Sequence, residues 1–354
     1  MFTGISIIII FILLCVLSFL EKYMGKYKIV FYLAIGLVLI LLAGLREVGI
    51  DPDSENYEDA YHHYYSNSVF EGVEYSFILI SSFLNYFSSD VHLLFLFYAM
   101  FGVGLKFIAF RKYSDFWFLP ILVYISYFFE LHEMTQIRTG ILSGIFLLSI
   151  KYLVEEKRIN YIILILIGAF FHISAITLLP FVFLTNKSIS PKKRLFWLLI
   201  IPAAYMVYYT TSAILINLDI PYIGTKIARY QDETEKGISA VQINVLSPRH
   251  LFSVLTFIYL LYFHDAIVLY NKYFPIFIKI FSLSLVAFVA LGFLPVLGQR
   301  VSYLYQIVSI ILITNVYYTI KPKWAGILLV IAIAFVHLNY ALPFVSFNLF
   351  WEGG

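Results

Sequence analysis

The chain has 354 residues, of which 62% are hydrophobic and 13% charged, and its mean hydropathy is +0.89. No soluble fold needs that composition; repeated apolar runs of about 20 residues mark transmembrane helices, and the missing period-2 alternation excludes an outer-membrane barrel. The net charge of +3 says little because the charges are sorted along the chain, and a lone cysteine, Cys15, excludes an intrachain disulfide and a CxxC metal or redox motif.

The N-terminal stretch MFTGISIIIIFILLCVLSFLEKY lacks a basic n-region and a small-residue cleavage site. It reads as a retained first helix rather than a signal peptide. Spans are predicted at 4–20, 29–45, 91–110, 116–130, 138–154, 195–216, 251–264, 276–294, 301–319 and 324–341, with a further apolar stretch at 161–184. The expected fold class is an all-α polytopic membrane protein of about 10–12 transmembrane helices, forming a single integral membrane domain over 1–354.

Charge sets the orientation. Lys22, Lys26 and Lys28 follow the first span, so that loop is expected in the cytoplasm and the N-terminus outside. Arg111/Lys112, Lys157/Arg158, Lys187/Lys192/Lys193/Arg194 and Lys321/Lys323 are expected inside, with Lys106, Lys151 and Lys279 near inner span ends. A single crossing by 161–184 would put its two basic flanks on opposite sides. The sequence YIILILIGAFFHISAITLLPFVFL has a polar break at His172-Ile173-Ser174, which leaves two halves of about 11 residues, roughly 16 Å each as helix. A hairpin with both ends inside and His172 near its tip removes the conflict; the alternative is one continuous helix with an exceptional basic loop outside.

Four outward segments remain. Residues 46–90 form the longest, a loop with amphipathic helices: Asp51-Pro52-Asp53-Ser54 predicts a turn into a helix over 54–66, and 75–87 is too short to span and suits the interface. The second runs from Glu130 to Arg138, the third covers 217–250, and the fourth is LGQRVSY around Arg300. These segments keep Arg46, Arg138, Arg229, Arg249 and Arg300 on the side that normally lacks basic residues. Arginine beside an apolar span costs free energy unless it meets an anion, and its planar fork suits phosphate. Tyr57 and Tyr303 offer rings for sugar faces, and nearby carboxylates accept hydroxyl hydrogen bonds. Together they point to a sugar-bearing, lipid-linked phosphate at the outer membrane surface.

Asp51, His132, Glu133 and His172 are the candidates for proton transfer. Each has a structural alternative: Asp51 as a cap or the partner of Arg46, His172 as a hydrogen bond at the hairpin tip, Tyr57 as interfacial packing, and the arginines as snorkelling or headgroup contacts. His62-His63 makes a poor metal site because adjacent residues point apart on a helix. His264-Asp265 and His337 read as structural. No metal site, cofactor or nucleic-acid surface is expected, since the basic residues are dispersed.

The motifs resemble those of the EpsG/Wzy-type polysaccharide polymerases. Arg46, Gly49, Ile50, Asp51, Asn56 and Tyr57 are similar to that family's first outward motif, with Ile50 where threonine is common and Pro52-Asp53 interrupting the polar run. Glu133-Met134-Thr135-Gln136-Ile137-Arg138, Phe171-His172-x-Ser174 with Leu179-Pro180, and Gly298-Gln299-Arg300-x2-Tyr303 resemble its later motifs, in order over about 30–340. The resemblance implies a GT-C-like glycosyltransferase of the bacterial inner membrane that joins undecaprenyl-pyrophosphate-linked oligosaccharide repeat units at the periplasmic face. O-antigen, capsule or exopolysaccharide would be the product, with a chain-length regulator and a flippase as partners. Three other classes compete, one of them a purely structural assembly subunit, which would leave the outward arginines without a reason. A flippase or transporter would show paired helix breaks in two halves, and one break is found without a partner; an O-antigen ligase would share the same physics.

Overall fold

A computed structural model describes residues 2–64, 74–217 and 243–341, and among them every regular element is helical. The helices are α1 Phe2–Leu20, α2 Lys28–Gly44, α3 Ser54–His62, α4 Tyr75–Asn85, α5 His92–Tyr113, α6 Phe118–Ile125, α7 Ile137–Val154 and α8 Arg158–Phe171. After them come α9 Pro191–Asn217, α10 Pro248–Tyr262, α11 His264–Val268, α12 Phe274–Ala290, α13 Pro295–Gln306, α14 Ser309–Thr314 and α15 Lys323–Ala341. A π-helical turn, Glu130–Thr135, leads into α7, and a 3-10 helix, Ile173–Phe183, follows α8.

The all-α membrane architecture is as expected. Five helices are long and apolar enough to cross a bilayer alone, or up to six if α13 and the segment Ser309–Thr319 make one broken span. Shorter apolar helices at Tyr75–Asn85, Arg158–Phe171, Ile173–Phe183 and Phe274–Ala290 account for much of the difference from the ten or more anticipated. Two predicted spans are corrected. Residues 116–130 form only the eight-residue α6 before the π turn, and 301–319 breaks between Gln306 and Ser309. The helix expected over 54–66 ends at His62.

The chain divides into two compact units. Unit 1 comprises Met1–Asn186, Leu269–Tyr273 and Ile310–Gly354. In it α5 packs on α7 and α2, α7 on α8, and α1 on α6. The outward stripe of α1, Ile5, Ile9, Ile12 and Val16, is exposed while Ile7, Phe11 and Leu14 are buried. In lipid both faces can be apolar, so the inner face is chosen by packing rather than by hydrophobicity.

The basic clusters of unit 1 gather at one end. Glu21 accepts hydrogen bonds from the Trp117 and Phe118 amides at 3.0 and 3.3 Å and from the Lys28 ammonium at 3.1 Å. The Arg111 guanidinium lies 3.6 Å over the Trp117 ring, and Lys323 lies over Tyr317, which packs on Phe116.

The chain reversal expected within 161–184 is present. The Tyr161 hydroxyl donates to the Leu178 carbonyl at 2.7 Å across 17 residues, a separation of roughly 25 Å in a continuous helix. His172 is extended, with φ −154° and ψ 127°, and there the chain reverses. The return limb packs back on α8, and Ala175 lies against Gly168.

Unit 2 comprises Lys187–Val268 and Phe274–Ser309. In it α12 is the centre, packed against α9, α10 and α13. His264 accepts the Ile189 amide at 3.2 Å, and its neighbour Asp265 pairs with Arg194, so both play the structural part expected of them.

Candidate functional site

Among the described residues of unit 1, three ionic clusters hold candidate residues. The first joins the loop after α2 to the π turn. Arg46 is buried, its Nε donates to Asp51 at 2.8 Å, and its terminal nitrogens donate to the Ala43 and Met134 carbonyls at 2.6 and 2.7 Å. The guanidinium also lies 3.9 Å over the Phe95 ring. Asp51 accepts the Asp53 amide as well, while Ser54 takes the Gly49 amide at 2.8 Å. Gly49 sits at φ +88°, a left-handed conformation that favours glycine. Asp51 therefore ties down the turn and Arg46 together, and each of Arg46's three guanidinium nitrogens has a protein acceptor.

The second cluster lies deep in the helices. Lys106 donates to Glu133 at 2.5 Å, to the Gly140 carbonyl at 2.7 Å and to the Gly102 carbonyl at 3.3 Å. All three ammonium hydrogens are thus used, and both side chains are 0% exposed. This corrects the placement of Lys106 at an inner span end and of Glu133 in a surface loop. The π turn carries Glu133 inward, and the bare faces of Gly102 and Gly140 make room for its carboxylate; a Cβ on either would run into it. His132 beside it is also buried, packed 5.5 Å from Phe128, and neither ring nitrogen has a partner among the described residues.

The third cluster holds Arg138, His172 and a residue the sequence reading passed over, Glu74. Arg138, in the first turn of α7, forms an ion pair with Glu74. The other Glu74 oxygen lies 3.1 Å from His172 Nδ1 and accepts the Ile173 amide at 3.1 Å. Burial pushes the Glu74 carboxyl up, but Arg138, His172 and the Ile173 amide together outweigh it and hold it below the ordinary carboxylate range. His172 Nδ1 also lies 3.3 Å from the Ser174 amide. Tyr57 and Phe77 each lie 5.9 Å from the Arg138 guanidinium. Arg138 Nε and the Tyr98 hydroxyl are buried and have no hydrogen-bond partner among the described residues. Five separate segments thus bring a cation, a carboxylate, an imidazole and tyrosines together.

The other candidates fall in unit 2. Arg300 is exposed on α13 and makes no ion pair with a described residue. Tyr303, one turn on, lines a small pocket with Arg249. Arg229 lies outside the described residues, as does most of the 217–250 segment. Among the described residues no group of three or more His, Cys, Asp or Glu is placed to hold a metal ion.

Glu74 and Lys106 were missed for one reason. Each is a lone charge in an apolar or mixed stretch, and the partner that gives it meaning is distant in sequence.

A family model described as the EpsG family matches residues 29–352. No curated protein and no solved structure matches the chain.

Proposed function

The chain belongs to the EpsG family, and from that premise we propose that this polysaccharide polymerase joins undecaprenyl-pyrophosphate-linked oligosaccharide repeat units at the periplasmic face of the inner membrane. A hydroxyl of the incoming repeat unit attacks the anomeric carbon of the growing lipid-linked chain. The bond from that carbon to the lipid pyrophosphate breaks, the pyrophosphate leaves with the electron pair, and the hydroxyl proton passes to a base.

The observation that carries the reading is the partly buried Arg138–Glu74–His172 cluster. Arg138 is the group we assign to the pyrophosphate. Its buried, unpartnered Nε and the adjacent Tyr98 hydroxyl are donors waiting for an acceptor, and a partly desolvated cation stabilises charge developing on a leaving group better than one in water. His172, oriented by Glu74, is the base we assign, in the pattern of an imidazole positioned by a carboxylate. Tyr57 borders the same space. Asp51 and Glu133 are assigned support roles, because each is committed to a buried cation. Arg300 is exposed and keeps its assignment as an anion contact.

The test is glycan laddering in a deletion strain complemented with wild type, Arg138→Ala, Glu74→Gln, Arg300→Ala and Arg300→Lys, with membrane expression confirmed for each. The proposal expects single repeat units in the deletion and no long chains with Arg138→Ala or Glu74→Gln. Long polymer in the deletion refutes it. Loss of all surface glycan, single units included, favours transport or ligation instead.

A further inference from the structure

Unit 2 contains a pocket lined by Arg249, His250, Ser253, Ser302, Tyr303 and Gln306, closed below by Leu285 and Phe288. Its polar side chains are mostly committed inward. The Gln306 amide donates to Ser253 at 3.1 Å, Ser253 donates to the Arg249 carbonyl at 3.1 Å, and Ser302 donates to the Ser284 carbonyl at 3.0 Å. His250 is the exception. It is 5% exposed, its ring stacks on Phe288 with centroids 4.6 Å apart and planes 16° apart, and Tyr205 meets it at an angle. Its Nε2 has no hydrogen-bond partner among the described residues.

A buried ring nitrogen left bare is costly, so native structures fill such positions. The stacked ring cannot rotate freely to find another partner, and the pocket has room for about one water-sized group. A sugar ring is too large to enter, whereas a single hydroxyl is the right size. A neutral imidazole nitrogen can meet a hydroxyl in either tautomer, accepting its O–H or donating to its oxygen, whereas a phosphate would bring a negative charge against an apolar stack. Hydroxyl-in, ring-out is also compatible with Tyr303 at the lining, since an aromatic ring can cover a sugar face.

We infer that this pocket is a saccharide subsite, which seats one hydroxyl of the glycan on His250 Nε2 between Gln306, Ser302 and Tyr303. The inference rests on the polymerase reading for the identity of the ligand but not on the roles of Arg138, Glu74 or His172.

The experiment uses the full-length protein in detergent micelles and measures the melting temperature with three probes. These are the short oligosaccharide released by mild acid from the host's own surface polymer, inorganic pyrophosphate, and buffer. The oligosaccharide is expected to raise the melting temperature of wild type in a saturable way. His250→Phe, which keeps the stack and removes the acceptor, loses that rise. His250→Gln, whose amide reaches the Nε2 position, keeps part of it. A full rise in a well-folded His250→Phe protein overturns the inference, as does no rise in wild type, which leaves a trapped water as the natural occupant. A rise from pyrophosphate that depends on His250 overturns it in favour of an anion site. Laddering in the deletion strain reads the polymerase proposal separately, so long polymer there sinks the proposed function whatever the melting data show.

Discussion

Removing the ammonium of Lys106 is the sharpest perturbation of the membrane core. Lys106 and Glu133 are both 0% exposed, and the ammonium has three acceptors, only one of them charged. In Lys106→Met the two carbonyls lose only a side-chain donor, but Glu133 is left as a buried carboxylate with no counter-ion. Breaking one side of such a pair costs about 3–5 kcal/mol, whereas replacing both members with apolar groups is near neutral or better. Lys106→Met and Glu133→Leu singly should each lower stability by about 3–5 kcal/mol, and the double variant should recover most of that, a coupling of several kcal/mol in a double-mutant cycle. Reversible unfolding of the purified protein in mixed micelles with increasing SDS reads these differences. If the double variant falls by the sum of the two single losses, the pair is not an interacting unit and the reasoning fails. If either single change costs less than about 1 kcal/mol, water reaches the site and the burial argument fails.

Further outcomes follow from the same geometry. Asp51→Ala should cost about 3–5 kcal/mol, because Arg46 stays buried with only carbonyls and a ring as partners; ladder length per folded molecule should survive it and not survive Arg138→Ala. Gly102→Ala places a methyl group on the Glu133 carboxylate and should cost about 1–3 kcal/mol, read in the same SDS titration. The Glu74 carboxyl is held below its ordinary value of 4.5, so its contribution to stability is complete above that pH and is lost as pH falls through the lower folded value. An acid titration followed by limited proteolysis between 74 and 173 should show this step in wild type and not in Glu74→Gln. Single cysteines at Lys157 and Lys187 in a Cys15→Ser background should both react with an impermeant thiol reagent from the same side of the membrane; opposite-side labelling would contradict the hairpin.

The sequence by itself determined where the helices run. Hydropathy placed α1, α2, α5, α7 and α15 within three residues at each end, because a span long enough for the bilayer leaves a continuous apolar run. Charge placed the basic clusters at one end of unit 1, and the conflict it raised at 161–184 was enough to predict the reversal at His172. These are local or additive properties, read one window at a time. Tertiary packing decided what the buried charges do. Glu74 meets Arg138 across 64 residues and Lys106 meets Glu133 across 27. Neither pairing follows from any periodicity, since a charge can enter an apolar interior only where another helix brings its counter-ion. For the same reason Arg46, which the sequence offered either to an anion or to Asp51, is spent on Asp51 and two carbonyls. The packing of α10 against α12 likewise leaves His250 Nε2 without a partner among the described residues, in a pocket of which the sequence offered only Arg249 and Tyr303.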